Sequence, residues 1–279
     1  MAHGKQPDDI TVVIKPRSGW EFIDFRELGA YRDLLFFLVW RDIKVIYAQT
    51  ILGFAWAVLN PLAQIIIFGV VFGHVANVSS DGIPYILFSS VAIIPWTYMS
   101  EAMQNSSQSL VAGQGMLDKI YFPRLLFPLT GVLSKLVDFV VSLIILLGLL
   151  VYYRVSPTVN LLLLPFFVIY MMLIPAGIGM WLSALAVRFR DVKFALQFII
   201  RMLIYTAPIV YSASAIPARY RLLYSVNPVV GVVEGFRACL LGAAMPWPYI
   251  LPGLLFALLL VISGAFYFRR MEESFADVI

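Results

Sequence analysis

Four charged residues interrupt long apolar runs in this sequence, where an ionised side chain needs a partner or water. They are Glu101, Lys135, Asp138 and Arg201. Ionisable side chains inside membrane helices are rare and commonly mark substrate or ion paths. Lys135 and Asp138 are three positions apart and face one side of a helix, so they either neutralise each other or line a polar path. Arg201 has three open roles: pairing with Glu101, contact with an anionic substrate, or snorkelling to the membrane surface.

Residue types that support catalysis, metal binding or nucleotide binding do not occur in suitable patterns. The two histidines, His3 and His74, are far apart, and Cys239 is the only cysteine. A phosphate-binding loop needs GxxxxGK[ST], but the one Gly-Lys pair continues with Gln at residues 4–6. We therefore expect no catalytic residue, no metal site and no cofactor in this chain. An energy source would have to lie in another chain or in an ion gradient.

The composition is typical of a polytopic membrane protein. Of the 279 residues, 61% are hydrophobic and 13% are charged, and the mean hydropathy is +0.89. A soluble domain is about half apolar and a quarter charged. A helix satisfies its own backbone in lipid and crosses with about 20 residues, so we predict an all-α membrane protein.

Six apolar runs predict six transmembrane helices in one domain spanning residues 45–268. The predicted spans are about 48–73, 83–107, 127–152, 159–187, 194–211 and 248–268. Of the 20 Lys and Arg residues, 14 lie in the two ends of the chain and in the loops after the second and fourth spans. The positive-inside rule therefore predicts a cytoplasmic N-terminal arm at 1–44 and a cytoplasmic tail at 269–279.

The second half of the N-terminal arm has the pattern of an amphipathic helix. Apolar residues recur at helical spacing from Phe25 to Val39, and charged residues fall mostly on the other side. A membrane run follows almost at once, so we predict a helix lying in the membrane interface. The alternative is an ordinary helix of a small cytoplasmic domain.

The stretch between the second and third spans, Gly113–Pro128, reads GQGMLDKIYFPRLLFP. It mixes the charges Asp118, Lys119 and Arg124 with several apolar side chains, more than a solvated loop needs. We predict a short amphipathic helix on the cytoplasmic face, where a soluble partner could contact it. The alternative is an ordinary amphipathic turn.

The segment Ser212–Trp247 is apolar but is interrupted by prolines and charges. Irregular backbone at membrane depth is tolerated only within protein or beside water. We predict two short helices that dip back from the outer face, around Arg219–Tyr224 and Val229–Leu241. Glu234 and Arg237 are three apart and positioned to pair on the second. The alternative is a surface hairpin that seals the outer face without gating.

Aromatic residues make up 15% of the chain. Those near span ends are typical of interfacial belts. Deeper ones, such as Trp56 and Tyr98, either face lipid or line a conduit, and sugar rings stack well on such surfaces. Composition does not separate these cases.

Four stretches carry a resemblance to the ABC-2 family of transporter permeases, specifically its polysaccharide and O-antigen export subgroup. Residues 31–62 (YRDLLFFLVWRDIKVIYAQTILGFAWAVLNPL) resemble the interface helix and first span, and residues 113–129 resemble the cytoplasmic coupling region. Residues 188–217 (RFRDVKFALQFIIRMLIYTAPIVYSASAIP) resemble the turn and fifth span, and residues 225–242 (SVNPVVGVVEGFRACLLG) resemble the re-entrant segment.

The resemblance implies a permease subunit of an ATP-driven exporter in the bacterial inner membrane. Two copies of the chain would join two nucleotide-binding ATPase subunits, which bind ATP and Mg. The substrate would be a polysaccharide on undecaprenyl diphosphate, moving through a channel between the copies. No nucleic acid is expected as a partner.

The residue patterns and the resemblance together give three groups of expected site residues. The expected ATPase-coupling surface comprises Arg32, Arg41, Asp42, Met116, Asp118, Lys119, Tyr121, Phe122 and Arg124. The expected channel or polar path comprises Trp56, Tyr98, Glu101, Lys135, Asp138 and Arg201. The expected outer gate comprises Pro217, Asn227, Pro228, Glu234 and Arg237.

Two other classes of function are open from sequence. The first keeps the permease but changes the cargo to a teichoic acid, a capsular polysaccharide or a small lipophilic compound. The second is a membrane-embedded glycosyl- or acyltransferase. An enzyme of that kind is expected to cluster carboxylates or a histidine near the membrane face. Here the loop acids are scattered, and His74 is alone on the predicted outer side.

Overall fold

The computed structural model describes residues 25–48, 53–117 and 122–272, and every regular element in these ranges is a helix. The all-α class is therefore confirmed for the described residues. In chain order the α-helices are α1 (Phe25–Ala30), α2 (Arg32–Ala48), α3 (Ala55–Phe68), α4 (Tyr85–Ala112), α5 (Gln114–Leu117), α6 (Leu126–Ser134), α7 (Leu136–Tyr152), α8 (Leu164–Arg188), α9 (Val192–Thr206), α10 (Arg221–Ser225), α11 (Pro228–Leu241) and α12 (Trp247–Glu272). A π-helix, Gly69–Val75, continues α3, and a 3-10 turn, Val159–Leu163, leads into α8.

Four helical stretches within the described ranges are long and apolar enough to cross a membrane. They are Ala55–Val75, Leu126–Tyr152, Val159–Arg188 and Trp247–Glu272. They correspond to the predicted first, third, fourth and sixth spans. Helix α4 has 28 residues, about 42 Å at 1.5 Å per residue, but its second half is polar. Helix α9 has only 15 residues. The six-span arrangement therefore stays a prediction.

Several predicted span boundaries differ from the helices: α4 ends at Ala112 rather than 107, and α12 ends at Glu272 rather than 268. The predicted fifth span reaches residue 211, but α9 ends at Thr206 and Ala207 is extended, with φ −112° and ψ 156°. Pro208 explains this end, since the residue before a proline is pushed out of the α region. The predicted first span begins at 48, but α2 continues to Ala48 and α3 begins at Ala55. Gly53, at φ +48°, lies in the turn between them.

Helix α4 is the centre of the bundle. Of its 28 residues, 17 are buried, and it packs against α3, α6, α7, α8, α9 and α11. Glycines allow α6 and α8 to approach α4 closely. A Cβ at Gly131 of α6 would lie 2.6 Å from the backbone of Ser106, and one at Gly179 of α8 would lie 1.9 Å from its hydroxyl. Small residues at such contacts are the usual means of close packing between membrane helices.

One end of the bundle holds a separate apolar cluster. Leu38 of α2, Phe127 of α6 and Phe268 of α12 belong to it, together with residues from the ends of α4 and α8. Helix α2 and the end of α12 therefore lie at the same end of the molecule. The sequence predicts this end to be the cytoplasmic one.

Short helices form at both places predicted in the segment after α9. A 3-10 turn, Ala218–Tyr220, runs into α10, and α11 follows after two residues. Asn227 caps α11 by accepting a hydrogen bond from the Val229 amide, and Gly242 ends it in the left-handed region at φ +73°. Twelve of the 14 residues of α11 are buried. At about 21 Å, α11 is too short to cross a bilayer core of about 30 Å.

Candidate functional site

A line of polar side chains runs along one face of α4. Its members recur at intervals of one, three or four residues, and all are half-buried: Thr97, Ser100, Glu101, Gln104, Asn105, Gln108 and Ser109. We call this set the α4 polar stripe. It covers about 18 Å of helix at 1.5 Å per residue. The other face of the same segment is buried in the bundle. A polar, partly accessible face in a chain this apolar needs water or a polar partner.

A charged cluster lies at the middle of the stripe. Lys135 Nζ is 2.9 Å from Glu101 Oε2 and 3.1 Å from Asp138 Oδ2. The Tyr47 hydroxyl of α2 donates a hydrogen bond to the same Asp138 carboxylate. Lys135 sits at the break between α6 and α7, where its backbone belongs to neither helix. The cluster thus joins α2, α4 and the α6–α7 break.

The predicted pairing of Lys135 with Asp138 is confirmed, and Glu101 completes a triad. One cation faces two carboxylates, so the triad carries a formal charge of −1 if all three groups are ionised. Burial, followed by the hydrogen bond to Asp138, raises the pKa of the Tyr47 hydroxyl well above its usual value. Tyr47 therefore stays protonated and acts as a fixed donor.

The other predicted channel residues occupy different environments. Glu101 pairs with Lys135 rather than with Arg201. Arg201 is exposed on α9 and makes no ion pair within the described residues. Trp56 is 46% exposed on α3, whereas Tyr98 is 3% exposed and donates to the Val132 carbonyl at 3.1 Å. Contact of these residues with a conduit stays a prediction.

The described members of the predicted coupling surface lie on α2, on α5 and in the segment that precedes α6. Arg32 and Asp33 are more than 80% exposed, and Arg41 forms a 2.8 Å ion pair with Asp42. Arg124 Nη1 donates to the Glu272 carbonyl at 2.8 Å, which ties the start of α6 to the end of α12.

The predicted amphipathic helix at 113–128 is only partly described. Its described part holds the short helix α5, on which Met116 is half-buried, and non-helical residues 122–125, of which Phe122 is buried. Asp118, Lys119 and Tyr121 lie outside the described residues. A role for any of them in coupling stays a prediction.

The predicted gate residues surround α11. Arg237 is 5% exposed, with Nη1 2.7 Å from Glu234 Oε1 and its guanidinium 3.7 Å from the Phe88 ring centroid. This confirms the predicted pairing of Glu234 with Arg237. Pro228 is buried at the first turn of α11, and Pro217 is exposed. Asn227 also donates to the Thr206 carbonyl at 3.3 Å, which joins α11 to the end of α9.

The family of the chain follows from comparison with known proteins. The family model described as "ABC-2 type transporter" matches residues 33–241. The chain belongs to the ABC-2 type transporter family. The match runs from α2 to α11, so it includes the stripe, the charged cluster and the Glu234–Arg237 pair.

Curated ABC-2 relatives match over most of their length. The "O-antigen export system permease protein RfbA" of Klebsiella pneumoniae is 27% identical over 253 residues, 90% of this chain and 97% of the relative. The protein of the same name from Myxococcus xanthus is 27% identical over 257 residues, 91% of this chain and 98% of the relative. The "Polysialic acid transport protein KpsM" of Escherichia coli is 26% identical over 248 residues, 84% of this chain and 92% of the relative.

Sequence reasoning missed several polar members of this ABC-2 site. The sequence gives no signal for Tyr47, because its partner Asp138 is 91 residues away. Asn105, Gln108 and Ser109 lie in a Ser/Gln/Asn run that resembled the end of a span. Their spacing of three and four residues was the available signal, because it places them on the same face as Glu101.

Proposed function

We propose that the chain is the permease subunit of an ATP-driven exporter of a lipid-linked polysaccharide of the O-antigen type. It would lie in the bacterial inner membrane with both termini in the cytoplasm. Two copies would join two ATPase subunits, and the glycan, carried on undecaprenyl diphosphate, would pass through a channel between the copies. The O-antigen relatives, aligned over nearly their whole length, support the choice of cargo.

The observation that carries the proposal is the α4 polar stripe. A helix facing only lipid would be apolar on its accessible side, and a small apolar cargo would need no amides. Seven polar side chains over about 18 Å instead suit a hydrated chain of sugar hydroxyls. Such a chain exchanges hydrogen bonds readily along a row of amides and hydroxyls.

The exposed face of α9 supports a partner copy of the chain. Phe194, Phe198, Arg201 and Tyr205 share this face at helical spacing, and the three aromatic rings are 63–67% exposed. Charged residues in membrane helices face protein or water rather than lipid. A second copy or an aqueous channel beside α9 satisfies this requirement for Arg201.

An apolar cavity of about 710 Å³ supports a lipid portion in the substrate. It lies under the α10–α11 segment, with Ile174 of α8, Leu203 of α9 and Phe256 of α12 in its wall. A hydrocarbon chain is the chemistry that such a wall accepts.

ATP hydrolysis is assigned to a separate partner because the sequence holds no GxxxxGK[ST] loop. The end of the bundle where α2, α5 and α12 converge is the proposed contact surface. Arg124 and Glu272 connect this surface to α6 and α12, so movement there would reach the core helices.

A capsular polysaccharide is the second candidate cargo. The observation in its favour is the 26% identity to the polysialic acid transport protein over 84% of this chain. The stripe suits either glycan, because both present hydroxyl-rich chains.

Deletion of the gene for this protein, in the bacterium that encodes it, tests the proposal. We expect loss of surface polysaccharide, accumulation of the lipid-linked glycan inside, and recovery on complementation. Affinity purification should also yield a partner with a Walker A sequence. Normal surface polysaccharide in the deletion strain, or glycan synthesis by the purified chain alone, would contradict the proposal.

A further inference from the structure

A small pocket with both polar and apolar walls lies between α2 and the last turns of α4. Its volume is about 290 Å³, close to the lower limit of small-molecule sites. Its polar groups come from Arg41, Asp42, Asn105, Gln108 and Ser109, and its apolar walls come from Val45, Ala112 and Phe127. The pocket continues into the α4 polar stripe, because Asn105 is one helical turn from Glu101.

The pocket offers hydrogen-bonding groups that the protein leaves unused. Within the described residues the Asn105 amide has no hydrogen-bond partner, so it presents both a donor and an acceptor. Gln108 donates weakly to the Gln104 carbonyl at 3.4 Å and keeps its amide oxygen unused among those residues. Ser109 donates to the Ser106 carbonyl at 2.7 Å and keeps acceptor capacity.

The charge balance of the pocket favours an uncharged ligand. Arg41 donates to Asp42 Oδ1 through Nη2 at 2.8 Å and through Nε at 3.1 Å. The cation is therefore already neutralised at the rim, and a phosphate would meet the Asp42 carboxylate as well as the guanidinium. Paired amides and a carboxylate are instead groups that bind vicinal hydroxyls of a sugar.

We propose that this pocket binds one uncharged sugar unit of the exported glycan, at the end of the stripe where α2 lies. This inference rests on the proposed function and adds to it a defined binding site. The unit leaves the pocket along the stripe, where Gln104, Glu101 and Ser100 supply the next polar contacts. The interface helix α2 forms one wall, so a displacement of α2 would change the affinity of the pocket.

Protection of an introduced cysteine from maleimide tests the site with only a small change of side chain. Ser109→Cys is nearly isosteric, and the native Cys239 is only 2% exposed. In the complex with its ATPase partner in lipid nanodiscs, we expect an oligosaccharide released from the polysaccharide of the same cells to slow maleimide modification at least threefold. Ser156→Cys, at an exposed position after the end of α7, is the control outside the pocket and should show no protection. Lack of protection at Ser109→Cys, or equal protection by pyrophosphate, would overturn the proposal.

Affinity measurements supply the second test. Asn105→Leu and Gln108→Met each remove hydrogen-bonding groups at similar volume, and we expect oligosaccharide affinity to fall about tenfold or more. Asn160→Leu changes a half-buried amide outside the pocket, which donates to the Ala243 carbonyl at 2.9 Å, and this variant should bind as the wild type does. Equal affinity in all proteins, or an equal loss in Asn160→Leu, would overturn the site.

Export by the wild-type complex is scored separately from pocket binding. If the wild type exports glycan but neither test detects sugar at the pocket, only the pocket assignment fails. If the wild-type complex exports no glycan, the proposed function fails.

Discussion

Removal of the Lys135 cation should destabilise the bundle measurably. Lys135 Nζ lies 2.9 Å from Glu101 and 3.1 Å from Asp138, and its side chain is 14% exposed. Lys135→Met keeps the apolar stem and removes only the charge. Two carboxylates would then share a partly buried space with no cation between them.

The expected magnitude follows from the burial of the three groups. At an effective dielectric of about 20, each contact at 3 Å is worth about 5 kcal/mol before desolvation is subtracted. Breaking a fully buried pair by removing one partner costs about 3–5 kcal/mol. Glu101 is 34% exposed, so water replaces part of what is lost. We expect the free energy of unfolding of Lys135→Met to fall by about 2–4 kcal/mol.

Equilibrium unfolding in mixed micelles would measure this difference. The triple variant Glu101→Gln, Lys135→Met, Asp138→Asn is the control, because it removes the carboxylate charges together with the cation. It should regain most of the lost stability. A Lys135→Met protein as stable as the wild type, or a triple variant less stable than Lys135→Met, would refute this account of the cluster.

Three further predictions concern packing, the α11 ion pair and coupling. Gly131→Ala should lower stability by about 1–3 kcal/mol in the same assay, because its Cβ would lie 2.6 Å from the Ser106 backbone, whereas Gly148→Ala, with no atom within 4 Å, should not. Equal stability of the two would contradict the close approach of α6 to α4. Arg237→Met should lower the free energy of unfolding by about 3–5 kcal/mol, because it leaves the half-buried Glu234 carboxylate without its cation. An unchanged thermal unfolding temperature would contradict the burial of this pair. Arg124→Glu should insert normally yet uncouple ATP hydrolysis from export, as measured by phosphate release and glycan transport together; normal export would reduce this contact to a structural one.

Contacts between residues three positions apart were predictable from sequence, and contacts between helices were not. The Lys135–Asp138 and Glu234–Arg237 pairs follow from a spacing of three residues. The link from Glu101 to Lys135 depends on how α4 packs beside the α6–α7 break. The hydrogen bond from Tyr47 to Asp138 depends on how α2 lies relative to α7. Neither arrangement leaves a periodic signal in the chain.

Element boundaries show the same division. The short helices around α10 and α11 were predictable because proline, asparagine and glycine mark their ends. Pro208 indicates that α9 ends just before it, at Thr206. The apolar run continues to Tyr211, however, and this length favoured a longer predicted helix. The α4 polar stripe was predictable from the spacing of Glu101, Asn105 and Gln108. Its half-burial could be established only once the neighbouring helices were in place.

Reconstituted transport tests the central claim most directly. The chain and its ATPase partner would be placed in liposomes with the ATPase outside, and lipid-linked glycan from the same cells would be added externally. We predict that ATP, but not a non-hydrolysable analogue, moves glycan into the lumen, where external glycosidase cannot reach it. ATP hydrolysis with all glycan still accessible to the glycosidase would contradict the proposal that this ABC-2 permease exports a lipid-linked polysaccharide.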